Sequence, residues 1–177
     1  IWIGRNTLEN ERELTKGIDT AKKHHSSLRG VVVGNEVLLR GEQPTQKLKE
    51  LITRVRNSVR EVPVTYADVW EFWLKNSDLK EAVDFATIHI LPYWEDRPIP
   101  VEYAVGHVSH IFHHVQEQLK GKPVMIGETG WPSYGRQRLG AAPGLIQEAR
   151  FIREFQVRAQ LENIPYNVIE AFDQGWK

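Results

Sequence analysis

The chain has 177 residues, enough for one domain with a sizeable core. Its 23 basic and 23 acidic residues balance, which removes the electrostatic case for nucleic acid or an anionic membrane as partner. Cysteine is absent, so disulfides and thiolate metal sites are excluded, and no apolar run approaches the ~18 residues of a membrane span.

The first predicted element is an apolar run at 1–4 (IWIG). No charged leader precedes it, so the start reads as a cut. Further runs follow at 30–35 (GVVVGN), 62–67 (VPVTYA), 85–90 (FATIHI), 123–127 (PVMIG) and 166–172 (YNVIEAF). Unbroken apolarity suits strands covered on both faces, as in parallel sheets. Helical spacing fills the gaps: Leu14, Ile18, Ala21; then Leu48, Leu51, Ile52, Val55, Val59. A short helix is predicted over 77–82, capped by Ser77 or Asp78. A long stripe runs from Val101 through Ala104, Val105, Val108, Ile111, Phe112 and Val115 to Leu119. The last is Leu145, Ala149, Ile152, Phe155 and Ala159.

Strand alternates with helix, six strands deep, which predicts an α/β fold with a parallel sheet in a single domain over 1–177. Pro- and Gly-bearing segments read as strand-to-helix loops. Two architectures fit: an open doubly wound sheet, or an arc of a (β/α)8 barrel. Both put functional residues at the C-terminal ends of strands. GEQPTQK (41–47) lacks the glycines and Lys-Ser/Thr pair of a phosphate loop, which weakens a nucleotide-binding reading.

Two of those strand ends carry a carboxylate. VVVGNE finishes on Glu36 and VMIGE on Glu128. Either could simply be a loop acid starting a helix. As a pair at one rim they suit glycoside hydrolysis, in which one carboxyl protonates the leaving oxygen and the other attacks the anomeric carbon or activates water.

VVVGNEVLLR (31–40) and VMIGETGWPS (124–133) resemble the two catalytic segments of glycoside hydrolase family 17. TIHILPYWE (87–95) and IEAFDQGWK (169–177) resemble its bacterial members, and the likeness runs along the whole chain. Glu-Thr-Gly-Trp-Pro-Ser is highly specific, whereas Asn-Glu after a strand is shared more widely. The resemblance implies a (β/α)8 TIM barrel with retaining chemistry on β-1,3-glucan. It implies Glu36 as acid/base, Glu128 as nucleophile, and Asn35 bonded to the hydroxyl beside the anomeric carbon. Glu36 would then need a pKa raised by its surroundings.

The resemblance further implies substrate-binding roles for Tyr66, Asp68, His89, Tyr93, Glu170, Asp173 and Lys177. Trp131 offers a flat face for a glucose ring, or is an ordinary core aromatic. No cofactor or metal is implied. His107, His110 and His114 share a helix face, but a solvated flank is the simpler reading. Transglycosylation by the same carboxylates, or a non-catalytic carbohydrate-binding fragment, are the alternatives. A secreted or cell-envelope location is implied by the family alone.

A full barrel has eight strands in ~250 residues. The six strands here correspond, by resemblance, to the third through the eighth. The expectation is therefore an incomplete barrel that self-associates or is completed by a missing N-terminal segment, with weak activity alone.

Overall fold

The structure, a computed structural model, describes residues 1–170 and 172. Among the described residues five strands form one sheet: β1 Val31–Asn35, β2 Val64–Val69, β3 Ala86–His89, β4 Val124–Thr129 and β5 Tyr166–Val168, in the order β1-β2-β3-β4-β5. Helices alternate with them: α1 Thr7–Lys23, α2 Thr45–Ser58, α3 Trp70–Lys75, α4 Val101–Gln118 and α5 Leu145–Glu162. Parallel neighbours in strict chain order match a fragment of a (β/α)8 barrel. A doubly wound sheet would reverse its order at a switch point, and this one does not. Among the described residues no helix is long and apolar enough to cross a membrane.

The helices form where periodicity and caps agree. The Asn6 side chain accepts from the Leu8 and Glu9 amides and starts α1, which buries Leu14, Ile18 and Ala21. The stripe of α2 is buried as predicted at Leu48, Leu51, Ile52 and Val55. Every residue of the Val101–Leu119 stripe is buried too.

Four expectations need correction. The run 1–4 is not a strand. Ile1 alone reaches β1, its nitrogen donating to the Val32 carbonyl at 2.7 Å and its carbonyl accepting from Gly34 at 2.9 Å. Gly4 turns instead to side chains: its amide donates to Asn10 Oδ1, and its carbonyl accepts from Asn10 and Gln43. The 77–82 segment is a 3-10 helix, Ser77–Glu81, preceded by Asn76 without a side-chain cap. Asn76 is engaged elsewhere, with the Phe72 carbonyl and the Thr45 hydroxyl. In α5 the buried face is Phe151, Phe155 and Ala159, while Leu145 and Ala149 are exposed and Ile152 is half-buried. The final strand is three residues, Tyr166–Val168, shorter than the predicted 166–172.

The chain divides into two compact units, Ile1–Ile88 with Val115–Val124, and His89–His114 with Met125–Lys177. The first is packed around Trp73, fully buried, whose indole donates to the Thr87 carbonyl at 2.8 Å and lies 5.8 Å from the Tyr66 ring. The second is packed around Phe151 and Phe155, stacked at 5.8 Å, with Tyr166 edge-on to Phe155. Its helices α4 and α5 are tied by Glu162, which accepts from Ser109 at 2.7 Å and lies 3.0 Å from His113 Nε2.

Candidate active site

In the first unit the chain leaves β1 through a kink. Gly34 has φ +82°, and a side chain there would press a Cβ to 2.8 Å from Val37 Cγ2. The β1–β2 register shifts at the same place, between Val32 and Asn35. Glu36 follows with φ 54°, also in the left-handed region, and its amide donates to the Ala67 carbonyl at 2.8 Å. Asn35 and Glu36 are both half-buried at this strand end.

Arg40 stands beside Glu36, Nη1 to Oε2 3.9 Å, and is held more tightly by Glu42, Nη2 to Oε2 2.8 Å. Its guanidinium lies 4.7 Å from the Trp2 ring centroid. The bond to Glu42 is the main reason the Arg40 pKa is raised. Sequence reasoning missed Arg40 and Glu42. No periodic pattern marks them, because 37–41 is a turn and not a helix.

Tyr66 and Asp68 are fully buried on β2. The Tyr66 hydroxyl donates to Asp68 Oδ2. Burial pushes the Asp68 carboxyl up, against the pull of its hydrogen bonds, and burial beside Asp68 raises the Tyr66 hydroxyl. Trp70 is half-buried at the start of α3, and Trp73 belongs to the core.

In the second unit Glu128 lies within β4, so the strand ladder fixes its backbone: its carbonyl accepts from Ile90 at 3.0 Å. His89 is buried behind it, Nε2 to Oε1 3.8 Å. The glycine of the Glu-Thr-Gly-Trp motif has a steric cause. A Cβ on Gly130 would stand 1.8 Å from the Ile169 carbonyl oxygen, so the close approach of the β5 end requires glycine. Glu170 follows directly and is half-buried.

Trp131 is 2% exposed, wedged between Tyr93 at 5.6 Å and Phe151 at 6.0 Å, with its indole donating to the Ala142 carbonyl at 3.0 Å. Tyr93 is also buried and donates to the Arg136 carbonyl. Arg138 donates to the Tyr93 carbonyl at 2.7 Å, which pins the 134–141 loop to the segment after β3. His107 lies 2.9 Å from Glu95, His113 faces Glu162, and His110 stacks on His114, so these histidines have partners along the flank of α4. Asp173 and Lys177 lie outside the described residues.

This arrangement has a counterpart among known proteins. The model of the BtgE/BtgC glycoside hydrolase domain matches residues 1–177. The glucan endo-1,3-beta-glucosidase btgC of Emericella nidulans is 28% identical over 203 residues, an alignment that takes in 100% of this chain and 30% of that protein. The crystal structure of the glycoside hydrolase family 17 β-1,3-glucanosyltransferase from Rhizomucor miehei superposes with TM-score 0.84 at 26% identity, over 99% of this chain and 65% of that one. An active-site mutant of the same enzyme in complex with laminaritriose gives TM-score 0.84 at 25% identity, over 99% and 65% of the two chains. The chain therefore spans less than two thirds of each of these relatives. With the family model matched from end to end, the chain belongs to the BtgE/BtgC glycoside hydrolase domains of glycoside hydrolase family 17.

Proposed function

We propose that the protein is a retaining glycoside hydrolase acting on β-1,3-glucan, and that residues 1–177 are a fragment of its catalytic domain, the C-terminal part of a (β/α)8 barrel. The observation that carries the reading is the family match over the whole chain, joined to a glutamate at the end of β1 and another at the end of β4. The names of the relatives, an endo-glucosidase and a glucanosyltransferase seen with laminaritriose, support the substrate class.

In this reading Glu36 begins protonated and Glu128 ionised. Glu128 attacks the anomeric carbon while Glu36 gives its proton to the departing glycosidic oxygen. A glycosyl ester on Glu128 results. Glu36, now a carboxylate, takes a proton from water or from a sugar hydroxyl, whose oxygen attacks the same carbon and frees Glu128. The mechanism requires the two carboxyls to work about 5–5.5 Å apart. Asn35 and Glu170, both half-buried, are the sugar contacts we propose, together with Asp173 and Lys177, which lie outside the described residues. His89, Tyr93 and Trp131 support the site from behind, since each is at most 6% exposed.

Transfer to a sugar acceptor uses the same steps, and the glucanosyltransferase likeness favours it as the second reading. Proton NMR of laminari-oligosaccharide turnover by the whole protein tests both. A β-anomer formed first supports retention, and a first-formed α-anomer refutes it. Products longer than the starting oligosaccharide indicate transfer.

A further inference from the structure

Glu36 is held in a backbone conformation that a glutamate rarely adopts. Its φ of 54° lies in the left-handed region, which a residue with a Cβ adopts only where the surroundings impose it. Those surroundings are on β2. The Leu38 amide donates to the Tyr66 hydroxyl oxygen at 3.0 Å and to Asp68 Oδ2 at 3.2 Å. The Leu39 amide donates to the same carboxylate oxygen at 3.4 Å. Tyr66 donates to that oxygen as well, and Val69 donates its amide to Oδ1 at 2.8 Å.

The Asp68 carboxylate therefore serves several donors at once, and two of them belong to the turn that follows Glu36. On the other side of Glu36, its own amide is bonded to the Ala67 carbonyl. The turn is stitched to β2 before and after the glutamate. Tyr66 and Asp68 are fully buried, so neither presents an atom at the surface for a sugar hydroxyl.

We propose that Tyr66 and Asp68 are positioning residues for the Glu36 carboxyl, holding the 36–39 turn so that the acid meets the glycosidic oxygen. This rests on the assignment of Glu36 as acid/base. The consequence is chemical selectivity. A sugar leaving group needs the proton of Glu36, whereas a dinitrophenolate departs without it. A misplaced acid therefore slows the first kind of substrate and spares the second. Because kcat/KM ends at the first irreversible step, it isolates bond cleavage from later hydrolysis of the glycosyl ester.

The test uses the whole protein carrying this chain, with Tyr66→Phe, Asp68→Asn and Glu36→Gln measured side by side. Substrates are a laminari-oligosaccharide and 2,4-dinitrophenyl β-laminaribioside. A misplacement near 1 Å costs about 10²-fold, and general acid catalysis is worth about 10²–10⁴-fold. Asp68→Asn puts an NH2 group against donors and should lose about 10²-fold in kcat/KM on the oligosaccharide. Tyr66→Phe should lose roughly tenfold. Both should stay within about threefold of the parent on the dinitrophenyl substrate, where the acid contributes little. Equal losses on the two substrates would overturn the proposal, as would no loss. Should Asp68→Asn fail to fold, Tyr66→Phe decides. If Glu36→Gln itself shows no selectivity, the acid/base assignment fails. If it is selective and Tyr66→Phe is not, only the positioning role fails.

Discussion

The two glutamates stand on different kinds of backbone. Glu128 sits inside β4, where the ladder to the neighbouring strand fixes it, with buried His89 3.8 Å from its carboxylate. Glu36 stands one residue past β1, on a left-handed turn held by the side chains of another strand. The contrast suits the roles proposed. A nucleophile must keep one line of attack, and an extended strand provides that without help. An acid that later becomes a base must reach an oxygen on both occasions, and its turn has to be tuned by tertiary contacts.

The largest expected effect separates the two roles. Glu128→Gln should lose on the order of 10⁴-fold in kcat on laminari-oligosaccharide and on an activated aryl glycoside alike, because no leaving group substitutes for the nucleophile. Steady-state kinetics on both substrates checks this. A Glu128 variant that kept activity on the aryl glycoside would collapse the distinction.

The support beneath each glutamate comes next. Trp73 is fully buried and packs beside Tyr66. Trp73→Ala should destabilise by about 3–5 kcal/mol in denaturant unfolding, since a large cavity opens and the Thr87 carbonyl loses its donor. Gly130→Ala tests the other side. Its Cβ would collide with the Ile169 carbonyl, so β4 and β5 must part, at about 1–3 kcal/mol by the same measurement. A neutral Gly130→Ala would show that the strand end is more pliant than argued.

The smallest effect lies away from both glutamates. Hydrogen bonds from Ser109, and then from Arg158 and His113, hold the Glu162 carboxyl down to about 2 from 4.5. A depressed carboxylate stabilises the fold above its unfolded pKa, and that contribution is lost as pH falls. Thermal unfolding of Glu162→Gln should therefore show a small deficit at pH 6 that shrinks between pH 4.5 and 2. A deficit that stays constant with pH would place the effect in packing.

The sheet was legible because strands buried on both faces write themselves as unbroken apolar runs, and both glutamates were legible as acids ending such runs. The face of α5 was not. Leu145, Ala149 and Ile152 fit helical spacing as well as Phe151, Phe155 and Ala159 do, and only the neighbours select the second set. The 1–4 run reads as a strand on composition, yet Gly4 satisfies its backbone through Asn10 and Gln43. The clamp on Glu36 was illegible for a different reason. It joins residues 28 to 30 positions apart, through a β1–β2 register that no local pattern encodes.

In the proposed mechanism the two carboxylates do different jobs, with Glu128 forming the covalent bond. Incubating the whole protein with a 2-deoxy-2-fluoro-β-laminaribiosyl fluoride, then mapping the mass-labelled peptide, tests it most directly. A single glycosyl label is expected on Glu128, formed also in Glu36→Gln because fluoride leaves without an acid. A label on Glu36, or none in an enzyme that turns over laminarin, would contradict it.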